Sequence, residues 1–328
     1  MSGKDKVKLL KVHKDAKDPK KQSVVEMTVQ ILLEGAIETS YTKADNSVVV
    51  ATDSMKNTVY CTPRIPRRFL IADLAKKNPV SPPELFASIV ASHFPSTYKH
   101  IFAATCTVIQ HKWTRITVNG QPHKHSFLRD GEDVRVARSY YQRNKGFKIT
   151  SGLENLLVLK STGSAFYGHI KDKYTTLPDV YDRIFSTEVT ASYAWRLFQD
   201  MADVKKAVPT FDAAFEGVKE ATLSAFATDD SASVQATLYK MTQIILGKFK
   251  DIDDVSYALP NKHYFQIDMS NRPRKGKLMA GYIGTKNTGP YAEVYRPEAY
   301  PAGKSYFGRK LILGYITATV SRKTKSVL

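Results

Sequence analysis

Apolar and polar side chains alternate in the first part of the chain, as they do on a half-buried β-strand. The apolar positions of this stretch lie two residues apart, at Val25, Met27, Val29 and Ile31. A turn-forming run at residues 43–46 then leads into three consecutive valines, Val48 to Val50. We therefore predict a long hairpin over residues 23–53, whose second strand ends at Thr52.

The next pattern has the period of a helix. Ser81 and Glu84 have the spacing of a capping box, and Pro82 stands at the first helical position. The apolar face of this predicted helix consists of Phe86, Ile89, Val90 and Phe94. Residues 106–127 alternate again around Asn119-Gly120, a strong turn signal, so we predict two strands joined there.

The second half repeats this order of elements. Residues 153–170 predict a strand, and residues 174–195 predict the continuation of its hairpin. Two helices follow, each with apolar side chains at spacings of three and four residues. The first apolar face consists of Phe215, Val218, Thr222 and Phe226, and the second of Val234, Leu238, Met241 and Ile245. Residues 251–269 then return to a strand pattern.

Both halves therefore have the order hairpin, one or two helices, hairpin. We infer an internal duplication of one α+β unit, with a boundary near Asn144. The predicted domains are residues 1–144 and 145–328. Long antiparallel strands with open edges also indicate that sheets join between subunits.

The composition is that of a globular protein with ordinary cores, since 42% of the 328 residues are hydrophobic. No apolar run approaches the roughly 20 residues that span a bilayer, and the first residues lack the apolar segment of a secretory signal. Two cysteines, Cys61 and Cys106, predict neither a disulfide framework nor a metal cluster. We expect a reducing, intracellular compartment.

The formal charge of +18 is high enough to suggest a nucleic-acid partner. Part of the excess is concentrated in three stretches, TPRIPRRF (62–69), NRPRKGK (271–277) and GKSYFGRK (303–310). Their proline and glycine are typical of loops. The remaining body is only moderately basic, so an anionic substrate or an acidic surface explains the charge as well as nucleic acid does.

The sequence contains neither a glycine-rich phosphate loop nor an HExxH or His-Cys constellation. His123 and His125 would bind a metal only with further ligands that the sequence does not identify. Asn261 and His263 are two residues apart, a spacing that on a strand directs both side chains to one face. A core histidine with a backbone partner is the alternative interpretation of His263.

Two other polar residues have both a structural and a functional interpretation. Thr52 follows an apolar run, so it either caps a helix or is presented to a site by the end of a strand. Arg183 follows a stretch of hydroxyl and aromatic side chains, and it either binds a ligand or forms a surface ion pair with Asp179 or Asp182. The residue pattern leaves both questions open.

Four stretches together resemble the urate oxidase (uricase) family. They are VVVATDSMKNTVY (48–60), KSTGSAFYGHIKDKYTTLPDVYDR (160–183), SASVQATLYKM (231–241) and ALPNKHYFQIDM (258–269). The SYTKADN that precedes the first stretch and the HSF of residues 125–127 also match. These matches keep chain order over nearly the whole sequence, from Gly3 to Arg322.

The resemblance implies an α+β fold of tandem tunnelling-fold domains, each of the order ββααββ, with antiparallel sheets that carry helices on one face. It implies a homotetrameric barrel around a tunnel, with active sites at subunit interfaces. The implied reaction converts urate, O2 and water to 5-hydroxyisourate and H2O2 without metal or organic cofactor. The expected partners are these substrates and copies of the chain, with neither nucleic acid nor membrane.

The resemblance also assigns a proton relay, which falls on Lys4, Thr52 and His263. A lysine is a poor base at neutral pH unless it is desolvated, and an interface would desolvate it. In this interpretation the apolar strand before Thr52 ends there in order to present its hydroxyl to the substrate.

Urate binding falls on a second set of residues. A bidentate guanidinium and a carboxamide suit the carbonyl and N–H groups at the edge of a flat anion, and the resemblance places Arg183 and Gln235 there. Gln235 also stands near a helix start, where free N–H groups favour an anion. The other assigned positions are Thr52, Phe166 for stacking, the backbone of Asp53 and Val234, Leu177 for packing, Asn261 for O2 or water, and Ile316 in the pocket.

Residues 62–73, 271–283 and 303–313 depart from the family pattern, either as surface loops or as products of a wrongly joined gene model. His169 stands where the family has an aromatic residue. The chain ends in Ser-Val-Leu, where many members end in the peroxisomal Ser-Lys-Leu. The peroxisome is therefore the expected location and the cytoplasm the alternative. The competing functions are a purine-binding protein of the same fold without turnover and a basic nucleic-acid-binding protein.

Overall fold

The computed structural model describes residues 2–50, 58–61, 70–176, 178–231, 233–262, 265–266, 293–294 and 314–322. The strands in these ranges are β1 (Ser2–Lys14), β2 (Gln22–Gly35), β3 (Thr58–Cys61), β4 (Ile101–Val118), β5 (Gln121–Gln142), β6 (Gly146–Lys160), β7 (Phe185–Trp195), β8 (Ile252–Lys262), β9 (Phe265–Gln266), β10 (Glu293–Val294) and β11 (Gly314–Ser321). The helices are α1 (Glu38–Thr42), α2 (Leu70–Lys77), α3 (Pro83–Thr97), α4 (Met201–Lys206), α5 (Val208–Thr228) and α6 (Val234–Lys248).

Nine strands form one sheet in the order β11-β8-β7-β6-β5-β4-β2-β1-β3. Neighbouring strands are antiparallel except β1 and β3, which pair in parallel at one edge. Helix α3 packs on β4 and β5, α5 on β6, and α6 on β8 and β11. The predicted α+β class, an antiparallel sheet with helices packed on it, is confirmed.

The predicted helix faces in the second half are confirmed. Val218, Thr222 and Phe226 of α5 are buried, and so are Val234, Leu238, Met241 and Ile245 of α6. Phe215 packs half-buried at the edge of the same core. The hairpin at Asn119-Gly120 is also confirmed, with positive φ at both residues, 50° and 76°. A two-residue turn of this kind matches the twist of the strands that it joins.

The predicted hairpin over residues 23–53 is wrong in its second strand. β2 pairs instead with β1, for example Leu9 opposite Met27, and with β4 on its other side. Residues 46–48 form one turn of 3-10 helix, with the Asp45 side chain accepting from the Ser47 N–H. β1 was not predicted because lysines occupy half of its exposed positions, although Val7 and Leu9 alternate on its buried face.

Two other predictions also need correction. The Ser81–Glu84 capping box does not form, because Glu84 is fully buried and binds Arg135 and Ser151 instead. The strand predicted over residues 153–170 ends at Lys160, and β7 begins only at Phe185. The described residues between them, 161–176 and 178–184, form a long loop, which carries part of the candidate site.

Two arginines cap helices in the same way in the two halves of the chain. Arg143, directly after β5, donates to the carbonyls of Pro95, Tyr98 and Ile101. Arg322, directly after β11, donates to the carbonyls of Leu246, Phe249 and Ile252. In each half these carbonyls belong to the last turn of the helix, its C-cap and the first residue of the next strand. The same frame therefore occurs twice, as a duplication requires.

The turn between the halves lies where the sequence indicates. Asn144 and Gly146 have positive φ, 63° and 83°, and a Cβ at Gly146 would collide with the carbonyl oxygen of Phe198. Only glycine meets both demands without strain. The sheet continues across this turn through the pairing of β5 with β6, and the domain bounds 1–144 and 145–328 stay a prediction.

Candidate functional site

The loop between β6 and β7 folds back on itself and brings Phe166 close to Arg183. The N–H of Phe166 donates to the Val180 carbonyl at 2.7 Å, and the N–H of Val180 donates back at 2.9 Å. The Arg183 N–H donates to the carbonyl of Ser164 at 2.8 Å. As a result the Arg183 guanidinium carbon lies 5.2 Å from the centre of the Phe166 ring. Two residues predicted to bind the substrate are thus adjacent.

The Phe166 ring is supported on one side by His169. The two rings are nearly parallel, with centres 4.9 Å apart and an angle of 14° between their planes. His169 is in turn 3.5 Å from an Asp179 carboxylate oxygen. His169 thus places a flat ring against Phe166. The Phe166 ring therefore contacts both the His169 ring and the Arg183 guanidinium.

The surface ion pair that was the alternative for Arg183 is not formed with either aspartate. Asp179 pairs with Lys171 at 2.5 Å, and Asp182 accepts from the Thr162 hydroxyl at 2.7 Å. Within the described part of the chain no carboxylate pairs with the Arg183 guanidinium. Burial lowers the pKa of this half-buried group. A desolvated guanidinium without a counter-charge favours an anion beside it.

The start of helix α6 is attached to the same loop. The Ser231 N–H donates to the Gly163 carbonyl at 3.1 Å, and the Ser231 carbonyl accepts from the Ala165 N–H at 2.9 Å. Helix α6 begins three residues later, at Val234. Backbone hydrogen bonds therefore connect the first turn of α6 to the loop that carries Phe166 and Arg183.

The first turn of α6 offers N–H groups and a carboxamide. Ser233 is its N-cap, and the Ser233 hydroxyl accepts from the Ala236 N–H at 3.2 Å. Val234 is buried, and the Gln235 side chain is exposed. Unpaired N–H groups at a helix start and the helix dipole favour an anion there. Gln235 thus lies where the sequence predicts it, at a helix N-terminus connected to the Arg183 loop.

Asn261 and Ile316 lie on adjacent strands, β8 and β11. Asn261 continues the buried row of β8 that includes Tyr257 and Leu259. Its side-chain oxygen is buried and has no hydrogen-bond partner among the described residues. A buried amide oxygen without a partner is costly in the absence of a ligand or water. Ile316 is half-buried opposite Leu259 and packs on the core.

Lys4 lies far from this group. It is half-buried on β1 opposite Ile31, just before an irregularity in the β1–β2 register. Six strand intervals separate β1 from β8 in the sheet, which at about 4.8 Å each amounts to about 29 Å along the sheet. Within one sheet, Lys4 and Asn261 are therefore placed near opposite ends.

The remaining predicted site residues, Thr52, Asp53, Leu177 and His263, lie outside the described residues. Sequence reasoning also missed Lys160, which ends β6 and donates to residues next to α6. The signal for it was the abrupt change from apolar residues to Lys160-Ser161-Thr162.

The described residues include no group of three or more His, Cys, Asp or Glu side chains that could hold a metal ion. The His123 and His125 rings are in edge contact, 4.6 Å apart, but no third ligand joins them in those ranges. None of the helices in the described part of the chain is both long and apolar enough to cross a membrane.

The chain resembles known proteins over nearly its whole length. A family described as Uricase matches residues 1–139 and 149–306. The chain is 48% identical to the uricase of Emericella nidulans over 326 residues, which cover 99% of this chain and 97% of that protein. It is 50% identical to the uricase of Aspergillus flavus over 301 residues, which cover 92% of each.

Solved structures agree with these sequence matches. The crystal structure of uricase from Arthrobacter globiformis matches with a TM-score of 0.75 and 28% identity, over 98% of this chain and 93% of that chain. The matched family range includes residues 62–73 and 271–283 but ends at residue 306. The fold and the segments that carry Arg183, Gln235 and Asn261 therefore lie within the similarity, whereas Ile316 lies beyond the family match.

Proposed function

The chain belongs to the uricase family and oxidises urate, and we propose that each active site combines residues of two copies of the chain. One copy supplies Arg183, Phe166, Gln235 and Asn261, and the other supplies Lys4. The observation that carries this proposal is the separation of about 29 Å along the sheet between β1 and β8.

Urate binds through the Arg183 loop and the first turn of α6. The Arg183 guanidinium and the Gln235 carboxamide bond to the carbonyl and N–H groups at the edge of the ring system. The Phe166 ring stacks on its face, on the side opposite His169. The N–H groups of Val234 and Asp53 complete the edge, and Leu177 and Ile316 pack beside the ring.

The reaction needs a proton to leave urate before an electron moves to O2. Lys4 accepts that proton through the hydroxyl of Thr52, and His263 completes the path. Asn261 holds O2, and later water, above the ring: its amide N–H groups donate to O2, and its unpartnered side-chain oxygen accepts from the water. Urate, O2 and water give 5-hydroxyisourate and H2O2. We propose that no metal or organic cofactor takes part.

The two parts of the site meet when two sheets join edge to edge. The edges of the nine-stranded sheet are β3 and β11, and β1 is next to the first while β8 is next to the second. Joining the β3 edge of one copy to the β11 edge of another brings Lys4 close to the Asn261 of the other copy. Two such contacts close a barrel from a two-fold pair of copies, and two of these pairs make up the homotetramer that we propose. A peroxisomal location stays a prediction.

Subunit mixing tests the shared site. Lys4→Met and Arg183→Ala are each expected to be inactive, because each removes one part of every site. In a mixed two-fold pair, one site carries both changes and the other carries neither. Random mixing makes half of the pairs mixed, so co-refolding the two variants in equal amounts should restore about a quarter of the wild-type activity.

The assay follows the loss of urate absorbance and the formation of H2O2, and native mass spectrometry verifies that mixed oligomers form. The control refolds each variant alone, which should give no recovery. Mixed oligomers without activity would show that Lys4 and Arg183 serve the same subunit's site. Wild-type protein that binds urate but forms no H2O2 would instead support the purine-binding alternative.

A further inference from the structure

The α5–α6 junction, formed by Asp229, Asp230, Ser231 and Ser233, determines where the first turn of α6 lies. Asp229 is the C-cap of α5, and Ser233 is the N-cap of α6. A displacement of this short segment would move the N–H of Val234 and the side chain of Gln235 together. The groups that hold the junction therefore affect the geometry of the substrate-binding edge.

Lys160, the last residue of β6, is one of these groups. Its ammonium donates to the Asp229 carbonyl at 2.7 Å and to the Ser231 hydroxyl at 2.9 Å. It also lies 5.5 Å from the centre of the Phe226 ring, which is in α5. The Asp229 carbonyl stands at the C-terminal end of α5, where the helix dipole favours a cation. Lys160 thus contacts both the end of α5 and the junction.

A chain of hydroxyl and carboxylate groups extends this contact into α6. The Ser231 hydroxyl is 2.8 Å from the Thr237 hydroxyl, which donates to an Asp229 carboxylate oxygen at 2.6 Å. Lys240 pairs with the other Asp229 oxygen. Ser231 and Thr237 are buried, so these bonds are poorly exposed to competition from water. Thr237 belongs to the first turns of α6, and the network therefore fixes the helix start.

The same junction is fixed to the Arg183 loop. Ser231 exchanges backbone hydrogen bonds with Gly163 and Ala165, and Ser164 accepts from the Arg183 N–H. Lys160 stands immediately before this loop in sequence. Its side chain therefore connects the strand from which the Arg183 loop departs with the start of α6. Desolvation lowers the Lys160 pKa, and nearby Asp229 and Asp230 oppose that shift.

We propose that Lys160 is a positioning residue for substrate binding, which holds the α5–α6 junction so that Val234 and Gln235 face the same ligand as Arg183. The proposal rests on the function proposed above. Lys160 touches neither urate nor the reacting atoms. It acts through Ser231 and Asp229, so its loss should weaken binding of urate more than it slows the chemical step.

The test is Lys160→Met, which keeps the length of the side chain and removes the ammonium. KM for urate should rise about tenfold, a factor that corresponds to about 1.4 kcal/mol, while kcat changes by less than about twofold. Lys248→Met is the matched control. Like Lys160, Lys248 contacts a phenylalanine ring. It lies in α6, but its ion pair with Glu220 is exposed and at the far end of that helix. It should leave KM unchanged.

A double-mutant cycle with Gln235→Ala separates positioning from general stability. If Lys160 acts through the first turn of α6, the two effects on KM should be clearly less than additive. Ser231→Ala removes one acceptor of Lys160 and gives a second, milder variant, which should raise KM in the same direction. An unchanged KM in both variants, or full additivity with Gln235→Ala, would overturn the proposal.

Failure of the proposed function is distinguishable in the same experiment. Wild-type protein and Lys248→Met are assayed first for H2O2 formation from urate. If both are inactive, the function is wrong. If both are active and Lys160→Met behaves like them, only the positioning role is wrong.

Discussion

Arg183→Lys is the most direct test of the binding geometry. The change keeps one positive charge and removes the planar guanidinium, which is the feature that matches two acceptors at once. The backbone of residue 183 remains held by its hydrogen bond to Ser164. The guanidinium forms no ion pair with Asp179 or Asp182, which have other partners. The substitution should therefore change binding of the substrate without breaking a structural ion pair.

The expected magnitude follows from one lost charge-assisted hydrogen bond. A lysine ammonium can replace one of the two bonds of a bidentate guanidinium but not both. Since the desolvated acceptor on urate then lacks a partner, the cost is about 2–3 kcal/mol. At 1.4 kcal/mol per factor of ten, kcat/KM should fall about 30- to 140-fold. The pairing of Arg183 with Phe166 should weaken as well, because an ammonium is not planar.

The measurement is steady-state oxidation of urate, with thermal unfolding of each variant recorded in parallel. Arg196→Lys is the matched control, since that arginine is an exposed partner of Asp203 and Asp251. Its substitution should leave kcat/KM unchanged. An effect of Arg183→Lys below about twofold, well under one factor of ten, would place Arg183 outside the pocket.

Two further predictions concern proton transfer and pH. Lys4→Met should lower kcat at least about a hundredfold, the scale of a lost general base, while changing urate affinity much less, because the relay acts on the chemical step; wild-type turnover in this variant would remove Lys4 from the mechanism. Burial raises the pKa of Asp229, but hydrogen bonds from Lys240 and Thr237 lower it overall. Its stabilising contribution is therefore present above the ordinary pKa of about 3.9 and is lost as the pH falls through the lower folded-state value. Between about pH 5 and about pH 3 the unfolding temperature should fall more for wild type than for Asp229→Asn, and equal slopes would contradict this assignment.

Much of the second half could be predicted from sequence, because its helices have one apolar face each. The spacing of Val234, Leu238, Met241 and Ile245 predicts the buried face of α6, and all four are buried. The turn at Asn119-Gly120 could be predicted because positive φ restricts the residue types. In both cases the signal is local, and the tertiary structure agrees with it.

The first hairpin could not be assigned correctly, because strand pairing is not local. β2 carries the alternation expected of a strand, but nothing in its own sequence selects β1 over residues 48–50 as its partner. The capping box at Ser81 failed for a related reason. Glu84 is bound by Arg135, 51 residues away, with 2.8 Å between the guanidinium nitrogen and the carboxylate oxygen.

The site itself followed from resemblance rather than from pattern. Residue spacing left two interpretations of Arg183 open, and the structure excludes the two ion pairs that one of them required. The stacking partner of Phe166, His169, could not be predicted either, because this contact depends on how the loop folds. In the proposed assembly Lys4 approaches the Arg183 loop only from a second copy, so that approach could not be deduced from one chain.

The duplicated frame gives a reason why, in the proposed site, only the second half supplies the edge that binds urate. The arginine caps Arg143 and Arg322 occupy equivalent places, so the two units share one architecture. Glu84 is the second residue of α3, as Gln235 is the second residue of α6. Glu84, however, is fully buried and bound by Arg135 and Ser151, whereas Gln235 is exposed.

Glu84 at the start of α3 and Gln235 at the start of α6 therefore have different roles. In the first half the Arg135 guanidinium binds the Glu84 carboxylate, and this ion pair helps to fix α3 against β5 and β6. Removing one partner of such a buried pair typically costs about 3–5 kcal/mol, so that position is committed to stability. In the second half the corresponding carboxamide remains free of such a partner among the described residues. The Gln235 carboxamide is therefore available to an external ligand, whereas Glu84 is not.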